Sequence, residues 1–130
     1  MLQEFKNDIY PRRLWIATSW EDIKDMFVCH KNDYKPIEEY EDGNAYTYPC
    51  VMRKKNKKYG TLILFILEGK ILGSEIVGRI AHESLHATNF MFDELGIAYD
   101  LINDEHAAYL TDWIAKCCWK VLQKEIYNNK

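Results

Sequence analysis

The spacing of hydrophobic positions changes several times along this chain, and each change predicts a different element. Arg12 to Thr18 (R-R-L-W-I-A-T) is a short apolar run entered from charge, which predicts a strand. Ser19 with Asp22 has the form of a helix start, and Trp20, Ile23, Met26 and Phe27 follow at helical spacing, predicting an amphipathic helix to about His30. Lys31 to Asn44 mixes Asp, Glu, Tyr and Lys around Pro36 and Gly43 without a period, and predicts an irregular surface connection placed to flank a site. Ala45 to Arg53 and Tyr59 to Leu67 are aromatic and β-branched on either side of Lys54-Lys55-Asn56-Lys57-Lys58, the pattern of an antiparallel hairpin with a basic tip. The second of these strands carries L-I-L-F-I-L, apolar on both faces, which places it centrally in its sheet.

Downstream the period becomes helical. Glu68-Gly69-Lys70 predicts a turn, Ser74 a cap and Gly96 a terminator, so one helix should run from about Glu75 to Leu95. Asn103 is placed to cap a last helix to about Tyr127, with Ala107, Leu110, Trp113, Ile114, Cys117, Val121 and Leu122 as its buried stripe. Trp119 and Cys118 on that helix read as core or interface. Strands followed by helices define an α+β class, a small antiparallel or mixed sheet packed on two helices. With 130 residues, 48% of them hydrophobic, residues 1–130 suit a single domain around one core.

Charge narrows the field of partners only a little. There are 17 basic and 20 acidic residues, net -3, so the chain as a whole is neither a polycation for nucleic acid nor an acidic tail. Arg53, Lys54, Lys55, Lys57 and Lys58 form one basic patch, read first as a solvated hairpin tip and second as a contact for nucleic acid or an acidic protein. Cys29, Cys50, Cys117 and Cys118 include no C-x-x-C pair, and adjacent cysteines rarely bridge, which predicts free thiols. Cys29-His30 and Cys50 lack ligand spacing and are not read as a second zinc site. Met1 to Tyr10 has no secretory apolar run, and Thr61 to Leu67 is far shorter than a membrane span, so a cytoplasmic protein without membrane contact is expected.

The strongest chemical signal is His82-Glu83-Ser84-Leu85-His86, an H-E-x-x-H motif inside the predicted helix. Residues four apart on a helix are separated by about 6 Å along the axis and roughly 40° around it, so both imidazoles point the same way and can grip one ion. Glu83 lies off that line, where its carboxylate is placed to act as a general base on a metal-activated water instead of a ligand. A catalytic zinc normally takes a third protein ligand. Asn89 and Phe92 stand where H-E-x-x-H-x-x-G-x-x-H would need glycine and histidine, which excludes the metzincin pattern. Asp93 shares the helical face but falls about 10 Å beyond His86 and reads as a solvated or capping carboxylate. Glu105, at the start of a returning helix, is the leading candidate, with His106, then Asp104 and Asp100, as alternatives.

In these residues the chain resembles the zincin metallopeptidases, specifically the gluzincin branch, in which H-E-x-x-H is joined by a glutamate from a later helix. His82, Glu83, His86 and Glu105 match that pattern. Glu105-His106-Ala107-Ala108-Tyr109 also looks like the E-x-x-A helix of small intracellular zincins that cleave repressor proteins, and like short zincin-like proteins of phages and mobile elements. The resemblance spans roughly Ser74 to Leu122. It implies a minimal zincin-like fold and a zinc-dependent peptidase acting on a peptide or protein substrate, with His82, His86 and Glu105 as ligands and Glu83 as base. It further implies substrate held by strand addition to an edge strand, which the predicted hairpin would provide. Tyr109 or Tyr99 would donate to the transition state. The alternative is a non-catalytic zinc-binding module of the same fold, acting by protein or nucleic-acid binding.

Overall fold

A computed structural model describes residues 1–40 and 43–128; Glu41 and Asp42, within the expected irregular connection, lie outside the described residues. The chain folds as α+β, six strands followed by two long helices. The strands are β1 (Leu2–Lys6), β2 (Arg13–Ala17), β3 (Phe27–Cys29), β4 (Lys35–Pro36), β5 (Ala45–Arg53) and β6 (Tyr59–Phe65). They form one mixed sheet in the order β1-β2-β6-β5-β3-β4, in which β2 and β6 are parallel and the other pairs antiparallel. The helices are α1 (Gly73–Leu95) and α2 (Glu105–Asn128).

Alternation along the central strands explains the two layers. Leu14, Ile16, Ile63 and Phe65 face the helices, where they meet Ile80, Ala87, Met91, Leu110, Ile114 and Val121. Trp15, Ala17, Leu62 and Leu64 face the other way, onto Ile23, Phe27, Ile37, Tyr48 and Val51. Both faces of β6 are therefore covered, as its unbroken apolar run requires. The hairpin forms with its basic tip, and β6 sits between β2 and β5. That position corrects one expectation: neither hairpin strand is an edge, because both have their ladders filled, and the edges are β1 and β4.

The helix expected from Ser19 to His30 is instead one 3-10 turn, Trp20–Asp22, followed by β3. Ser19 does cap it, its side chain accepting from the Glu21 amide. Asp25 then adopts a left-handed backbone, φ 65°, which ends helical propagation, and Phe27 to Cys29 gain a full ladder against Val51 to Arg53. Ile23 and Phe27 are buried as the pattern implied, but under the sheet. Ser74 lies inside the first turn of α1, after Leu72 at the cap, whereas Gly96 terminates the helix at φ 70° as expected. Trp113 is partly buried while the rest of the α2 stripe is fully buried. The four cysteines are free thiols. Among the described residues, no helix is long and apolar enough to cross a membrane.

Gly60 is the tightest point of the sheet. A Cβ there would stand 1.9 Å from the Arg13 carbonyl oxygen, on the partner strand. Gly60→Ala is expected to destabilise the fold by about 1–3 kcal/mol or more, because backbone and not a flexible side chain must give way. Urea denaturation checks this, and an unchanged midpoint would contradict the close β2/β6 approach.

Candidate metal centre

The inward face of α1 carries Ile76, Ile80, Glu83, Ser84, Ala87, Thr88 and Met91, which leaves His82 and His86 on the outer side. Their rings meet edge to face at 4.8 Å, and the two Nε2 atoms are 3.2 Å apart. At this distance the two rings are hydrogen-bonded to each other, and since two nitrogens each about 2.0–2.1 Å from a tetrahedral zinc are separated by about 3.3 Å, the same spacing also suits two ligands on one ion. The exposure of both rings leaves the rest of a coordination sphere accessible.

Glu83 turns the other way. It is 5% exposed, and its Oε2 accepts a hydrogen bond from Thr47 Oγ1 of β5 at 3.3 Å. A groove of about 470 Å³ opens where α1 passes the start of β5, lined by His82, Glu83, Arg79, Gly78, Glu75 and Asn44 among others. One imidazole of the pair and the glutamate thus share a single groove, with the carboxylate anchored from the sheet side.

The expected third ligand is not brought to this pair. Helix α2 returns antiparallel, with Thr88 and Thr111 hydroxyls 2.7 Å apart and the His106 ring 5.9 Å from that of Phe92. Phe92 lies six residues beyond His86, about 9 Å along the axis, so the first turn of α2 stands near the C-terminal end of α1 and not at its middle. Among the described residues, no third His, Cys, Asp or Glu joins the pair in a group whose ligand atoms lie within 4.8 Å of one another, so neither Glu105 nor its alternative His106 is brought to it here. The reason is the connection: two antiparallel helices joined at one end bring their adjoining termini level. Asp100 is spent on the turn itself, accepting from the amides of Ile102 and Asn103. Tyr109, 71% exposed, lines a separate hollow with His106 and Trp113, and Tyr99 packs near Phe92, so neither expected donor sits beside the histidines. Asp93 is solvated, as expected, with Lys31 Nζ at 3.9 Å.

A second convergence lies at the far end of α1. Glu94 Oε1 accepts from Arg12 Nε at 2.9 Å and from His30 Nε2 at 2.8 Å. Cys50 joins them: potential ligand atoms of His30, Cys50 and Glu94 all lie within 4.8 Å of one another. Cys50 reaches this place through an irregularity in β5, where the register shifts between Tyr48 and Val51 and its own φ is 56°. Burial raises the pKa of its thiol, and the nearby Glu94 carboxylate adds to the shift. Nothing in the local sequence signals this grouping except the adjacency of Cys29 and His30. By contrast, burial pushes Cys117 to about 11 and Cys118 to about 12, consistent with inert core thiols.

No protein family, curated protein or solved structure matches the chain.

Proposed function

We propose that the protein is a zinc-dependent metallopeptidase of zincin type, with His82 and His86 as protein ligands and Glu83 as general base. The observation that carries this reading is the 3.2 Å separation of the two exposed Nε2 atoms, with Glu83 on the groove that His82 lines. When bound, zinc polarises a peptide carbonyl and makes water a nucleophile near neutral pH. Helix α1 fixes the two imidazoles one turn apart, so little side-chain ordering remains for binding. Glu83, held by Thr47, takes a proton at its carboxylate and delivers it to the leaving amine. Arg79 gives the same groove a cation, suited to an anionic group of an extended polypeptide. With two protein ligands instead of three, zinc is held less tightly than in a closed catalytic site. A reducing, cytoplasmic setting agrees with the four free thiols.

One observation favours the second reading, a non-catalytic zinc-binding module: no third protein ligand accompanies the pair among the described residues. Zinc content separates the readings from a metal-free one. The chain is expected to lose one equivalent of bound zinc in the His82→Ala, His86→Ala double variant, by equilibrium dialysis, with unchanged circular dichroism. Equal zinc content in the two proteins removes both readings. Loss of zinc without any cleavage of an unstructured test protein by the wild type leaves the module.

A further inference from the structure

We propose that His30, Cys50 and Glu94 form a second divalent-metal site, of zinc type, independent of the histidine pair on the middle of α1. Three elements supply its donors: the residue after β3, the irregular point of β5 and the last turn of α1. Their potential ligand atoms lie within 4.8 Å of one another, a spread that small side-chain movements close onto one ion.

The decisive observation is Glu94. Its side chain is only 3% exposed, and while Oε1 receives Arg12 and His30, the buried Oε2 has no hydrogen-bond partner. A carboxylate oxygen withdrawn from water and left bare is costly unless a cation meets it. Arg12 pairs with this carboxylate through Oε1 and leaves Oε2 open to a second cation.

The donor set selects the kind of ion. One imidazole nitrogen, one sulfur and one carboxylate oxygen suit zinc, whereas magnesium and calcium prefer oxygen alone. A thiolate and a carboxylate match the charge of a divalent cation among the ligands themselves, with Arg12 on Glu94 and Lys31 beside Cys50 as neighbouring cations. The His30 to Glu94 hydrogen bond and the backbone bond from His30 N to Cys50 O, 3.0 Å, already hold the donors together, so the site is largely preorganised. The Tyr59 ring stands edge-on to His30 with centroids 4.9 Å apart and covers one side. The same three residue types serve elsewhere as a cysteine nucleophile with its base. Cys50, however, is buried, and its thiol is raised, the reverse of an activated nucleophile.

Cobalt reports this site without confusion from the first, because only this one offers sulfur. The full-length His82→Ala, His86→Ala variant is titrated with Co²⁺ under reducing conditions and followed for a thiolate-to-cobalt charge-transfer band in the near ultraviolet. The expected result is a band that saturates at one equivalent, disappears on adding Zn²⁺ and is lost in a further Cys50→Ser variant. Glu94→Gln should shift the titration midpoint to higher cobalt. Absence of the band from the folded double variant overturns the proposal, and so does a band that survives Cys50→Ser. Alkylation of wild-type protein gives a check that needs no substitution at the site: one equivalent of zinc beyond that held by His82 and His86 should protect Cys50, mapped by mass spectrometry. Unprotected Cys50 at that loading also overturns it. Each of these readouts is indifferent to whether the histidine pair is catalytic.

Discussion

Glu83→Gln is expected to lower peptide hydrolysis by about 10²–10⁴-fold, the contribution typical of a positioned general base, while zinc content and fold stay as they are. The substitution removes the proton acceptor but keeps the shape of the side chain. Its amide oxygen still accepts from Thr47 Oγ1, the bond that holds the wild-type carboxylate at 3.3 Å, so the buried position remains satisfied. His82, which lines the same groove, and His86, one turn on, keep their own side chains in this variant. The measurement is the initial rate of cleavage of an unstructured protein substrate at saturating zinc, with metal content and thermal midpoint recorded on the same samples. A variant that retains both zinc and full activity removes Glu83 from the chemistry. Loss of zinc together with activity points instead to a structural effect of the change, and the base assignment then fails as well.

Trp15→Ala is expected to cost about 3–5 kcal/mol of folding stability, the range for emptying a large aromatic from a packed core. Trp15 is 0% exposed and meets Phe27 edge to face, with ring centroids 5.1 Å apart, on the sheet face that the helices do not cover. Its Nε1–H donates to Glu4 Oε1 at 2.8 Å, so the alanine variant also releases the pin between β2 and edge strand β1. Against a total stability of about 5–15 kcal/mol, this change removes a large share. Guanidinium denaturation gives the number, and Trp15→Phe, which restores most of the volume but not the donor, should recover the larger part. A loss under about 1 kcal/mol would mean that this face is not a packed core.

The elements best read from the sequence were those with a strong local cause. The β5/β6 hairpin needed only two β-rich runs and a charged turn, and α1 needed only its periodic face and Gly96. The segment after Ser19 is misleading, since Trp20, Ile23, Met26 and Phe27 satisfy a helical period yet pack on one face of the sheet, Phe27 from within β3 itself. There, pairing of Phe27 to Cys29 with β5 and the left-handed Asp25 outweighed a weak local preference. That the structure does not bring Glu105 to the histidines has a different cause. Its helix was identified, but the level at which α2 docks on α1 depends on the connection and on contacts such as Thr88 with Thr111, none of which has a sequence period.

By itself, the sequence determined that two imidazoles would face one way from a helix with a glutamate beside them, because a rise of about 1.5 Å and a turn of about 3.6 residues leave no other arrangement for H-E-x-x-H. It also determined that β6 would be covered on both faces, since its apolar run has no polar side to show water. Only the tertiary structure decided the strand order, the distance of Glu105 from the histidines, and the meeting of His30, Cys50 and Glu94. Those features rest on contacts between residues far apart in the chain, which are set by how layers pack and not by any pattern legible along one segment.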